Sequence, residues 1–161
     1  MNEIICGHAL KMRLATIDDN SFLTQVFVST QNFLQLSGVL AEQVAAIIAS
    51  QHVMKMNSYR SQYPKACHYI VEFKNQKVGQ VIVDFEESNL HIVDLAFLPQ
   101  AQGQGLGTAV IKTLQQKGQS MTLVVEQGNN VARSLYLKLG FTVKAITPPH
   151  ELFEWNISLT G

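Results

Sequence analysis

The segment Gln102-Gly103-Gln104-Gly105-Leu106-Gly107-Thr108 restricts this chain more than any other. Before it stands LHIVDLAFL at 90–98, apolar on both faces as a central strand would be, and Pro99 ends that strand. After it come Leu106, Ala109, Val110, Thr113 and Leu114, an inward face at helical spacing that runs to Lys117 and stops at Gly118. Alternate glycines let backbone N–H groups turn toward one point with no Cβ in the way. The helix start adds unpaired N–H donors and the positive end of its dipole, so the segment suits a diphosphate. The spacing is not the Walker pattern, because no Gly-Lys-Ser/Thr follows. It is not GxGxxG either: counted from Gly103 and Gly105, the third glycine falls where Thr108 stands. Taken alone, the same glycines also suit a plain loop with a helix cap.

The rest of the chain supplies elements around this unit. Residues 9–16 read as a first strand, and Asp18-Asp19-Asn20-Ser21 offers caps for a helix carrying Phe22, Leu23, Val26, Phe27 and Thr30. Ser37-Gly38 separates it from a second helix at 40–57 with Leu40, Val44, Ile47 and Ile48 on one face. Strands follow at 67–73 and 77–86, joined at Asn75-Gln76, then the strand at 90–98. Beyond the glycine helix come a strand at 120–126, a helix from Asn129-Asn130 to Leu139, and strands at 141–147 and 151–159. The order β-α-α-β-β-β-α-β-α-β-β predicts an α/β (α+β) fold, a mixed sheet with helices on its faces, in one domain over 1–161.

Composition narrows the function classes. Twelve basic residues balance twelve acidic ones, which gives no electrostatic reason for a nucleic acid or membrane partner. No apolar run approaches the roughly 18 residues of a membrane span, and the start carries no secretion signal. Cys6 and Cys67 form no CxxC pair and have no plausible zinc partners, so they read as free thiols and no metal is expected. A cytoplasmic location is the expectation.

The loop Gln102-x-x-Gly105-x-Gly107 resembles the (Gln/Arg)-x-x-Gly-x-(Gly/Ala) signature of the GNAT superfamily of N-acetyltransferases. A second segment, Asn129-x-x-Ala132-x-x-Leu135-Tyr136-x-x-Leu139-Gly140-Phe141, resembles that family's other characteristic stretch and falls one helix and one strand later. The likeness is close over 90–141 and implies a GNAT-like, mostly antiparallel mixed sheet. It also implies acetyl-CoA as cosubstrate, bound through backbone amides at Gln102, Gly103, Gln104, Gly105, Gly107 and Thr108. The family often has Arg or Lys where this chain has Gln102 and Gln104. The fourth predicted strand would pair with pantetheine at Leu95 and Phe97.

The second segment has its own geometry. At 100° per residue Asn129 and Tyr136 differ by about 700° and share a helix face about 10 Å apart, with Ala132 keeping that face low. Asn129 suits an amide of an extended arm, and equally a helix cap. Tyr136 is the general acid that the resemblance implies, a phenol of pKa about 10 that stays protonated at neutral pH; a core aromatic is the other reading. The base stays open. His91 and Asp94, three apart on a strand, are expected on opposite faces. The resemblance places His91 where some members carry a base glutamate. Asp84, Glu86 and Glu126 are rivals. Acceptor candidates around the end of the second helix are His52, Asn57, Tyr59 and Arg60, and Gln51, Tyr59, Tyr63 and Pro64 resemble a segment of small bacterial members of the family. The expected activity is acetyl transfer to a primary amine of a small molecule or peptide. A GNAT fold that holds acyl-CoA without turnover is the alternative, a structural α/β protein with an accidental loop a third, and a homodimer stays open.

Overall fold

The computed structural model describes residues 3–30 and 41–157. Eight strands form one sheet: β1 (Glu3–Gly7), β2 (Leu10–Leu14), β3 (Cys67–Phe73), β4 (Gln76–Phe85), β5 (Asn89–Phe97), β6 (Ser120–Glu126), β7 (Thr142–Thr147) and β8 (His150–Trp155). Among the described residues the α-helices are α1 (Asn20–Ser29), α2 (Ala41–Gln62), α3 (Leu106–Gln115) and α4 (Asn130–Lys138). The spatial order is β1-β2-β3-β4-β5-β6-β8-β7. Every neighbouring pair is antiparallel except β5 and β6, which are parallel and joined through α3. The fold is therefore α+β with a mostly antiparallel sheet.

The strands at 67–73 and 120–126 have the expected bounds. The N-terminus differs. Instead of one strand at 9–16, β1 and β2 make an antiparallel hairpin whose turn holds Ala9 at φ 59°. Ile4 is buried while Ile5 is 64% exposed, the alternation of an edge strand with one wet face. The second turn sits at Lys74-Asn75, both at positive φ, and Gln76 already belongs to β4. Helix α2 runs past its expected end at 57, because Met56, Tyr59 and Tyr63 keep helical spacing toward one cavity. Pro64 disfavours helical geometry at the residue before it and ends the run. The expected inner face of α2 mixes buried Ile48 with Ile47, which is 43% exposed. Leu40, Ser37 and Gly38 lie outside the described residues.

Two cores flank the sheet. On one face Leu106, Val110, Ile111 and Leu114 of α3 and Tyr136 of α4 are buried with Tyr69, Val71, Val81, Val83, Leu90 and Ile92 of the strands. Each such aliphatic side chain contributes about 1.5–3 kcal/mol of burial. On the other face α1 packs on β4 and β5 and buries Leu23, Val26 and Phe27. The start of α1 is fixed by Asp19. Its side chain does not cap the helix; it accepts from both Arg13 guanidinium nitrogens at 2.9 Å and from the Thr16 amide at 2.8 Å, and pairs with Lys77 at 2.6 Å. Arg13 first, then Lys77, hold that buried carboxyl well below the usual range.

Candidate active site

The site is built on a defect in β5. Register pairs Ile82 with Asp94 but Val83 with Ile92, so Val93 is an extra residue, a β-bulge. A bulge reverses side-chain parity. Leu90 and Ile92 before it, and Leu95 and Phe97 after it, all pack toward the α3/α4 core. His91 and Asp94 consequently share the opposite face, the correction that the bulge makes to simple strand alternation.

A second irregularity opens the sheet. β5 and β6 are paired only from Asn89–Ser120 to Ile92–Leu123. Beyond Ile92 they diverge, and a cavity of about 720 Å³ occupies the gap and continues under α2. His91, Asp94, Leu95, Asn129, Ala132 and Tyr136 all line it. Of the rival carboxylates, Glu126 lines it while Asp84 and Glu86 do not. Tyr59 and Tyr63 reach it from α2, but His52, Asn57, Arg60, Gln51 and Pro64 do not. His52 is instead buried between α1 and α2, its ring tilted against Phe27 at 5.1 Å between centres and its Nδ1 3.3 Å from Thr24 Oγ1. Arg60 bonds Asn57 on the exposed side of α2.

Asp94 sits at the floor of a polar chain. Gln80 Nε2 donates to Asp94 Oδ2 at 2.8 Å, and Gln80 Oε1 lies 2.6 Å from His68 Nε2. Since that oxygen only accepts, His68 carries its proton on Nε2 and the Gln80 amide is fixed in orientation. Burial pushes the Asp94 carboxyl above the usual range, opposed by Lys55 and His68. His91 is held by Thr122 Oγ1 at 2.8 Å from Nδ1 and by stacking on Tyr63, whose hydroxyl is 3.3 Å from Nε2. Burial lowers its pKa below the ordinary imidazole value. Tyr136 packs edge-on against Phe141 and Phe153 at 5.6 and 6.4 Å, and burial, then Asp94, push its phenol up to about 12. It is thus both a core aromatic and a cavity-lining group.

Asn129 caps α4, its Oδ1 accepting from the Ala132 amide at 3.2 Å; its Nδ2 is left for other partners. The glycine loop lies beyond the C-terminal end of β5 and does not line the cavity. Gly103 and Gly105 both have φ +77°, a left-handed conformation that favours glycine. Gly107 is different: a Cβ there meets Phe97 at 3.6 Å and Leu135 at 3.9 Å, ordinary contact, so helical packing alone does not require glycine. No side chain caps α3, whose N-cap is Gly105, leaving the first-turn amides of Leu106, Gly107 and Thr108 without helical partners. Gln102 departs from expectation. Its amide already donates to Pro99 O at 3.2 Å and its side chain to Phe97 O at 3.1 Å, so it braces the loop instead of offering a free amide.

Sequence reading missed Gln80 and Lys55. Gln80 had a signal: a lone amide within an apolar strand, here only 3% exposed. Lys55 with Tyr59 and Tyr63 forms an i, i+4, i+8 stripe that was readable as one helix face.

Residues 64–143 match the family described as Acetyltransferase (GNAT) domain. An uncharacterized N-acetyltransferase of Methanocaldococcus jannaschii is 30% identical over 96 residues, 56% of this chain and 61% of that protein, so the match spans less than two thirds of the relative's length. The PaiA N-acetyltransferase of Thermoplasma acidophilum, solved with coenzyme A, superimposes with a TM-score of 0.66 at 16% identity, over 91% of this chain and 98% of that one. An acetyltransferase of Thermus thermophilus gives 0.65 at 18% identity, over 91% and 96%. At these identities the two structures speak to the fold alone. Both motifs, the family match and the fold agree, and residues 64–143 form a GNAT acetyltransferase domain.

Proposed function

We propose that this chain is an acyl-CoA-dependent N-acetyltransferase that moves an acetyl group to a primary amine by direct attack. The observation that supports it is the gap between β5 and β6. At one end lie first-turn amides of α3 suited to a diphosphate; inside it Tyr136 and Asp94 face a common cavity. Acetyl-CoA would lay its diphosphate on Gly103, Gln104, Gly105, Gly107 and Thr108, and its arm along Leu95, Phe97, Asn129 and Ala132.

Asp94 takes the proton from the bound ammonium. The freed nitrogen attacks the thioester carbonyl, whose developing oxyanion faces main-chain N–H groups of the open β5 edge. Collapse breaks the C–S bond while the Tyr136 O–H hydrogen-bonds the departing sulfur, and the second proton shed by the nitrogen passes to that thiolate. The products are an acetamide and the free thiol. A second base, His91, is favoured by its firm anchoring to Thr122 on the same cavity wall.

Thiol release from acetyl-CoA across an amine panel tests the reading. Amine-dependent release is expected; coenzyme A binding with no release on any amine favours a non-catalytic acyl-CoA module instead. The loop has its own test, Gly105→Val. A Cβ at Gly105 meets nothing within 4 Å, so the penalty is backbone strain at φ +77°, not obstruction. Strain of about 1–3 kcal/mol should weaken coenzyme A binding roughly 5- to 150-fold by calorimetry. Unchanged affinity would remove the loop from the binding site.

A further inference from the structure

Among the cavity's lining residues Lys55 is unexplained by acetyl transfer. Its ammonium lies 5.5 Å from the ring centre of Phe27 and 5.7 Å from that of Tyr59, and its residue lines the cavity. No carboxylate lies within 4 Å of it among the described residues, whereas Arg13, Lys77, Arg133 and Lys144 all have such partners. Two aromatic faces hold a cation in place without neutralising it.

Asp94 lines the same cavity. The two are near enough for Lys55 to favour the Asp94 carboxylate, yet they form no ion pair. Tyr59 lines the same cavity, its ring 5.7 Å from the Lys55 ammonium. One carboxylate and one ammonium thus line a shared space. The remaining carboxylate on the lining, Glu126, stands at the end of β6, where its main-chain carbonyl accepts from the Asn129 amide. A ligand that complements this pair carries an ammonium at one end and an anion at the other. A polycation does not, since its second charge meets Lys55.

We propose that the acceptor is a small zwitterionic amine, one bearing a carboxylate or phosphate a few bonds from its nitrogen, with Lys55 as the residue that selects the anion. This deepens the transferase reading and rests on it. Lys55 is a specificity determinant, not a group in the bond-making steps.

Matched acceptor pairs test it. Glycine is compared with glycinamide for the carboxylate, and 2-aminoethyl phosphate with ethanolamine for the phosphate. Both kcat/KM, from thiol release, and Kd, from calorimetry in the presence of coenzyme A, are measured. The anionic member of at least one pair should be preferred tenfold or more, and which pair shows it identifies the anion. Lys55→Met should collapse that ratio toward one, Lys55→Arg should keep most of it, and Lys65→Met, on the exposed chain outside the cavity, should leave it alone. A ratio near one in the unaltered protein, or a ratio that survives Lys55→Met, overturns the proposal. Preferential binding of the anionic amine without thiol release upholds the Lys55 site as a ligand site and refutes the transferase reading, so the two failures are distinct.

Discussion

Asp94→Asn should lower kcat/KM by about 10²–10⁴, the range for loss of a general base, while coenzyme A affinity stays within a few-fold. The substitution is isosteric and its carbonyl still accepts from Gln80, so the polar chain to His68 persists. What disappears is a site for the amine's proton. The pH profile assigns the role. A base works only when deprotonated, so kcat/KM falls as pH falls through the base's own pKa. Burial lifts Asp94 above the ordinary carboxylate value, so its acid limb lies above that value. His91 is lowered by burial, so a limb due to His91 lies below the ordinary imidazole value. If Asp94 is the base, Asp94→Asn erases the limb and His91→Gln leaves it. If Asp94→Asn retains kcat/KM within threefold, the assignment fails and His91 takes its place.

Tyr136→Phe should lower kcat about 10- to 150-fold and change coenzyme A affinity far less. The magnitude follows from acidity. A phenol near 12 facing a thiol of ordinary pKa about 8.5 would transfer its proton uphill by about 5 kcal/mol. Tyr136 therefore acts chiefly by hydrogen-bonding the departing sulfur, and a hydrogen bond to a charged group contributes about 1.5–3 kcal/mol. Phenylalanine keeps the edge-on packing against Phe141 and Phe153, so folding should survive. Steady-state turnover and calorimetric binding of coenzyme A read the two effects apart. An unchanged kcat excludes the phenol from the reaction.

The elements with a strong local pattern were legible in the sequence. The apolar runs at 67–73 and 120–126 become strands with those bounds, and Gly103 and Gly105 adopt the backbone that only glycine takes easily. The misses share a cause: they depend on a neighbour, not on local pattern. Val93 looks like any strand valine, and only its lack of a partner on β4 makes it a bulge, which carries Asp94 to the side of His91. The β1 hairpin turns through His8 and Ala9, neither a customary turn residue. His52 resembled a site residue on α2 because its helix position was known but the partner α1 above it was not. The cavity wall draws on α1, α2, β4 and β5, and no single stretch of chain announces such a convergence.

The parting of β5 from β6 after Ile92 makes this sheet an unfinished weave. Half of one central strand has no strand partner on that side among the described residues, and a bound pantetheine arm with its amides would supply the missing thread. Cosubstrate and fold are then coupled equilibria. At a hundred times its Kd such a ligand adds about 2.7 kcal/mol to the native state, so the melting temperature should climb with its concentration, and the amide hydrogens along the second half of β5 should exchange more slowly once the seam is closed.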